Sequence, residues 1–242
     1  MPKTIIFLDF DGVLCDSVKE AYILSRYAYY GFDVHKTVEP DRYEKFAHNR
    51  YLVSNSFQYY YLMQILEEHF EFNDIACRFN MLNKNGKTPQ ADNFNKKFLA
   101  KRKELLENDF DFWNGLETPT LFLNQLKGIL KNSENCTFAI LSTKNKEAII
   151  RKFNFWGIEF NPELIFEKKD LENKTKGEFI ADFMQNHSEY ADFILIDDNE
   201  ENINSCANIE NLKAYLTNWG YVKNPQNGKS EEEIVKIIKE KV

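Results

Sequence analysis

The chain has 242 residues, 43% of them hydrophobic and 29% charged, and a formal net charge of -7, which fits a globular protein with one sizeable domain or a core carrying an insert. The acidic balance argues against a general affinity for nucleic acid, and no apolar run approaches the length of a membrane helix. Cys15, Cys77, Cys136 and Cys206 lie far apart without a C-x-x-C pair, so neither a zinc site nor a disulfide framework is expected, and reduced thiols in the cytoplasm fit best.

Residues 4–10 read as a buried strand: short, apolar, rich in β-branched side chains and broken by Gly12. The run is too short for a signal peptide, and Asp9 interrupts it. From Ser17, a candidate N-cap, the period becomes helical, with Ala21, Leu24, Ser25 and Ala28 continuing one face toward Gly31. The stretch FQYYYLMQILEEHF is amphipathic. Phe57, Tyr61 and Ile65 lie beside Tyr59, Met63, Leu66 and Phe70, while Gln64, Glu67 and Glu68 face away. NFNKKFLAKRKELLEND is a further, well-charged helix whose apolar members are Phe94, Phe98, Leu105 and Leu106. No strand signal of comparable strength falls between Ser17 and Asp111.

Beyond that point the pattern alternates. Thr118 is expected to cap a helix with Pro119 at its first position and Gly128 near its end. Strands are predicted over 137–141, 164–166, 193–196 and 212–216, and helices over 145–153, 176–186 and 200–207. Ser230 and Glu233 form a capping box for a last helix that ends in lysine-rich sequence. Short apolar strands alternating with helices predict an α/β fold, a parallel sheet covered on both faces. The expected organisation is a core of residues 1–16 and 112–242, with 17–111 as a helical insert after the first strand.

Ligands of parallel sheets bind beyond the carboxyl ends of the strands. Asp9 and Asp11 stand at such an end, as do Ser142 and Thr143 after FAIL, and Asp197 and Asp198 after FILI. Any one pair alone reads more readily as a solvated strand end or a helix cap than as chemistry. Three strands delivering polar residues to one edge are harder to dismiss. Converging carboxylates raise one another's pKa unless a cation offsets their charge, and Mg²⁺, a hard ion that prefers oxygen, is the economical answer.

These residues also resemble the motifs of the haloacid dehalogenase-like hydrolase superfamily, over the whole chain except the middle of the insert. LDFDGVLCDS is similar to its first motif, AILST to its second, KTKGEF to its third and ILIDDNEENI, in the DD form, to its fourth. WGYV at 219–222 is similar to a common late segment. The family's core is a Rossmann-like parallel sheet. It places a helical cap, of the C1 class, where the insert falls here.

The resemblance implies a chemistry. Asp9 would be the nucleophile that attacks phosphorus and forms an aspartyl-phosphate. Asp11, with Gly12 behind it, would protonate the leaving oxygen and then deprotonate the attacking water. Mg²⁺ would be held by Asp9, the backbone carbonyl of Asp11 and Asp197, with Asp198 orienting a ligand or a bound water. Ser142 would donate to a phosphoryl oxygen, with Thr143 beside it. The third-motif lysine is Lys174 or Lys176. Thr175 and Glu178 spell a T-x-x-E capping box that puts Lys176 at the first helical position, aimed at the site, and this favours Lys176.

In the insert, HNRY brings Arg50 next to His48 and Tyr51, and Arg42, Lys45 and Arg78 are further cations. One of them, Arg50 first, would suit a second anionic group on a substrate, although any single one reads more readily as an ordinary exposed charge. His35 and His69 offer nothing specific. The reading expected from all this is a Mg²⁺-dependent phosphatase acting on a small phosphorylated metabolite. The alternatives are a phosphotransferase or mutase on the same core, or a non-catalytic ligand-binding protein. Asp11 speaks against a dehalogenase, which needs no second acid. The sequence gives no signal of oligomeric state.

Overall fold

The first apolar run becomes β1 (Lys3–Leu8), and its alternation serves two cores at once. Ile5 and Phe7 face one side of the sheet, and Ile6 and Leu8 the other. The computed structural model describes residues 3–68, 72–131 and 135–242. The further strands are β2 (Cys15–Asp16), β3 (Thr118–Pro119), β4 (Cys136–Leu141), β5 (Ile165–Phe166), β6 (Tyr190–Asp197) and β7 (Leu212–Leu216). The main sheet runs β5-β4-β1-β6-β7, and every pairing in it is parallel. β1 is central, with Leu8 in register with Ile140 of β4 and Ile196 of β6. Three strands therefore end at one level. β2 and β3 form a separate antiparallel pair, Asp16 opposite Thr118 and Cys15 opposite Pro119.

The chain divides into two units, Met1–Asp16 with Thr118–Val242, and Ser17–Glu117. Ser17–Glu117 is helical: α1 (Val18–Tyr30), α2 (Pro40–His48), α3 (Tyr59–Glu67), α4 (Phe72–Asn83), α5 (Pro89–Asn108) and α6 (Phe110–Asn114). Its interior is aromatic, with Tyr59 stacked between Phe46 and Phe98. Buried Glu20 is held by Arg102 at 2.6 and 2.7 Å and by the Trp113 indole at 3.2 Å. Ser17 is the N-cap residue of α1, as expected, without a side-chain capping bond. One start differs from expectation. α5 begins at Pro89, earlier than its hydrophobic pattern indicates, because the Thr88 hydroxyl accepts from the Ala91 N–H at 3.3 Å. His69 and Phe70, at the end of the amphipathic stretch, lie outside the described residues.

In the other unit, α7 (Leu121–Lys131), α8 (Lys146–Phe155) and α11 (Glu231–Lys239) cover one face of the sheet through Phe122, Leu126, Ile149, Phe153, Ile234 and Ile238. α9 (Lys176–Asn186) and α10 (Glu200–Ser205) cover the opposite face through Ile180, Phe183 and Cys206. The fold is the α/β architecture read from the sequence. One boundary is corrected. Thr118 and Pro119 do not open α7 but pair with β2, which a two-residue ladder permits because proline withholds only one donor. Thr120 caps α7 instead, its hydroxyl accepting from the Leu123 N–H at 3.2 Å and donating to the Val13 carbonyl at 2.9 Å.

Candidate active site

Sheet register brings the polar residues together. Asp9 follows β1, and its N–H still donates to the Ile196 carbonyl of β6 at 3.0 Å. Asp197 closes β6. Ser142 follows β4, its N–H donating to the Phe166 carbonyl at 3.0 Å. Lys176 arrives from the opposite direction at the first position of α9. The Thr175 hydroxyl accepts from the Glu178 N–H at 3.2 Å, and the Glu178 carboxylate accepts from the Thr175 N–H at 2.8 Å. That reciprocal box fixes where the helix starts. The Lys176 ammonium then donates to Asp9 Oδ1 and to Asp197 Oδ2, both at 2.7 Å.

All three partners of this bridge are buried. Burial is the largest influence on Asp9 and pushes its carboxyl up to about 6; Lys176 opposes the rise, and Asp197 and Asp11 add to it. Burial also pulls the Lys176 ammonium down, but the Coulombic pull of Asp197 and Asp9 outweighs it and leaves the group raised. Asp197 has further donors: the Asn199 N–H at 2.8 Å and the Asn202 side-chain amide at 3.1 Å to each oxygen.

Asp198 is set by close backbone approach. The Tyr221 N–H donates to its Oδ2 at 2.6 Å. A Cβ on Gly12, whose φ is 95°, would lie 2.0 Å from that oxygen. A Cβ on Gly220, whose φ is 86°, would lie 2.6 Å from the Gly12 carbonyl and 2.7 Å from Asp198 Oδ2. Both positions thus require glycine, for space as well as for backbone conformation. The Trp219 indole donates to the Val13 carbonyl at 3.1 Å, tying the same loop to the turn after Asp11. Oxygens of Asp9, Asp197 and Asp198, all three residues buried, lie within 4.8 Å of one another. An oxygen-only, anionic donor set of this kind fits a hard divalent cation such as Mg²⁺.

Asp11 is partly exposed, and its Oδ1 accepts from the Lys144 ammonium at 3.0 Å. The Ser142 hydroxyl accepts from the Lys144 N–H at 3.3 Å, which leaves it a proton to donate. Thr143 is exposed. Lys174 is not at the carboxylates: its ammonium pairs with Glu172 at 3.3 Å and Asp182 at 3.0 Å. Arg50 belongs to the helical unit, where it donates to the Val53 carbonyl at 2.6 Å and lies over the Tyr59 ring. Arg42 and Arg78 pair with Glu67 and Glu68 at 3.3 Å. Sequence reasoning missed Lys144 and Asn202. The first stands two residues after Ser142, and the second five after Asp197, on the helix opened by the fourth motif.

Comparisons with known proteins agree with this architecture. No protein-family model matches the chain, and no curated protein matches it. Among solved structures, a predicted phosphoglycolate phosphatase from Haemophilus somnus superposes with a TM-score of 0.63 at 13% identity, covering 98% of each chain. A predicted phosphatase from Clostridium acetobutylicum gives 0.58 at 16% identity, over 99% of this chain and 100% of the other. A haloacid dehalogenase-like family hydrolase from Streptococcus pneumoniae gives 0.55 at 15% identity, covering 98% of each chain.

Proposed function

From the haloacid dehalogenase-like fold that the chain shares with these structures, we propose that it is a Mg²⁺-dependent phosphatase. Its substrate is a small phosphorylated metabolite, and the reaction runs through an aspartyl-phosphate. One observation carries the reading: β1, β4 and β6 end at one level, with two pairs of carboxylates, a serine hydroxyl and a buried lysine that bridges two of the acids. A structural cluster needs no partly exposed second acid beside its buried one; a nucleophile with an acid/base partner does.

The chain's own groups divide the work. Asp9 attacks phosphorus as the bond to the leaving oxygen breaks, and Asp11 gives that oxygen its proton. Water then attacks the aspartyl-phosphate and passes a proton to Asp11, the bond from Asp9 to phosphorus breaks, and inorganic phosphate departs. Ser142 donates to a phosphoryl oxygen. Lys176 holds the carboxylate of Asp9 in place and contributes positive charge where the phosphoryl group gathers negative charge. Asp9, Asp197 and Asp198 would hold Mg²⁺, with the backbone carbonyl of Asp11. When bound, the ion supplies charge neutralisation and orientation of the phosphoryl group. Thr143 and Gly12 are read as further contacts for the phosphoryl group.

The helical unit Ser17–Glu117 falls where the resemblance to the superfamily places a C1 cap, and we read it as the part that selects the substrate, with Arg50 a candidate contact. Because one superposed structure is described as a phosphoglycolate phosphatase, small phosphorylated acids come first in a substrate screen. The test is hydrolysis of a panel of phosphate monoesters with Mg²⁺ and with excess chelator, by wild type and by Asp9→Asn. Activity that depends on Mg²⁺ and disappears in Asp9→Asn, which still melts cooperatively, supports the reading. Substantial turnover by Asp9→Asn overturns it.

A further inference from the structure

We propose that Lys144 is a positioning residue for Asp11: it fixes the carboxyl that protonates the leaving oxygen, and so sets the rate on esters with poor leaving groups. The inference rests on the phosphatase reading and deepens it. Lys144 lies three residues past the end of β4, the strand paired with β1. Its ammonium reaches back to Asp11, 133 positions earlier, at 3.0 Å. The lysine side chain is 1% exposed and the aspartate side chain 22%. Removing an ammonium from water costs several kcal/mol per ion, so this burial is a feature of the site and not an incidental surface pairing.

The lysine is anchored by an aromatic surrounding. Its ammonium lies 5.4 Å from the centroid of Phe10. That ring is fully buried and packed against Phe153 and Trp156. Asp11, by contrast, sits beyond β1 on the turn closed by the Gly12 N–H and the Cys15 carbonyl at 2.7 Å. A fixed cation beside an acid on a turn selects one orientation of that acid. An acid oriented in this way is placed to give its proton to the leaving oxygen. The two buried lysines then have separate tasks. Lys176 is bonded to Asp9 and Asp197, and so bears on attack at phosphorus for every substrate. Lys144 is bonded to the acid, which matters in proportion to how badly the leaving oxygen needs a proton.

That difference is measurable. For the Mg²⁺-loaded protein, kcat/KM is compared on 4-nitrophenyl phosphate, whose leaving group departs unprotonated, and on a simple alkyl phosphate, whose leaving group does not. This parameter covers events only up to departure of the leaving group, so the second half-reaction does not enter. Lys144→Met should lose about tenfold or more beyond its aryl-ester loss when the alkyl ester is used, a fraction of what general acid catalysis supplies. Lys144→Arg, which restores a cationic donor, should recover most of the difference. In an Asp11→Asn background, Lys144→Met should add no further selective loss, because coupled residues are not additive. Lys144→Gln, polar but too short to reach Asp11, carries the same expectation if Lys144→Met does not fold. Equal losses on both esters, no loss on either, or a selective loss that persists in Asp11→Asn each overturn the positioning role. A wild type inert toward both esters overturns the phosphatase reading itself, and this inference with it.

Discussion

Lys176 and Lys174 are two residues apart and inhabit different worlds. Lys176 is buried and bridges Asp9 and Asp197 at 2.7 Å. Lys174 is exposed and pairs with Glu172 and Asp182, and exposed pairs of this kind contribute little. Lys176→Met leaves two carboxylates buried without their shared cation, a loss that in other proteins costs about 3–5 kcal/mol. Its thermal midpoint should fall by many degrees and its turnover should vanish. Lys174→Ala should melt within the scatter of wild type and retain activity. Melting curves and kcat for the two variants check this. The capping box made the choice between them legible, because it is local: four consecutive residues state where α9 begins. Lys144 was not legible. Its partner Asp11 lies 133 positions away, and in S-T-K after a strand the eye goes to the hydroxyls. Asn202 escaped for a similar reason, since an asparagine in a short helix carries no mark of the carboxylate it will meet.

The loop 219–221 shows the same contrast among elements. WGYV was visible in the sequence only as a likeness. Its function comes from three strand-end loops meeting: the turn after β1, the end of β6 and the segment after β7. At Gly220 an alanine Cβ would stand 2.6 Å from the Gly12 carbonyl and 2.7 Å from Asp198 Oδ2. Gly220→Ala should therefore displace Asp198, lower stability by about 1–3 kcal/mol through overpacking and strain, and raise the Mg²⁺ concentration needed for half-maximal activity. Gly128 lies inside α7 with nothing within 4 Å of its added Cβ. There alanine should be neutral or stabilising, by up to about 1 kcal/mol, because it suits a helix better than glycine does. Thermal melts of both variants and a Mg²⁺ titration of activity test the pair. The longer strands and most helices were readable because each repeats its own period over several residues, and the two-residue β5 because it falls in a short apolar run. β2 and β3 were not: neither is apolar throughout, and Pro119 before a helical run imitates a helix start. Only pairing across the chain makes Thr118 and Pro119 a strand.

For the molecule as a whole, the charges at the sheet edge do not balance. Among the described residues, Lys176 pairs with Asp9 and Asp197 and Lys144 with Asp11, while Asp198 accepts from the Tyr221 N–H; these four carboxylates against two ammonium groups leave a formal deficit equal to one divalent ion. A ligand bound only by the folded state stabilises it, by about 2.7 kcal/mol at a hundred times its dissociation constant. Mg²⁺ should accordingly raise the melting temperature in a saturable manner, and Asp197→Asn should blunt that rise. A flat response in wild type would detach the acids from any metal role. The antiparallel pair β2–β3 carries a consequence of another kind. Asp16 and Thr118 stand opposite each other, so the polypeptide departs for a hundred-residue excursion and comes back to the place it left. Loop-closure entropy grows only slowly with length, and with both ends stapled side by side the register of β1 does not depend on how much chain hangs between them. Whole stretches can then be lost, lengthened or exchanged over evolutionary time at this one seam. The residues proposed for catalysis, all of them outside it, would be inherited intact, so that the proposed chemistry could be refitted to new molecules by changing what is spliced in.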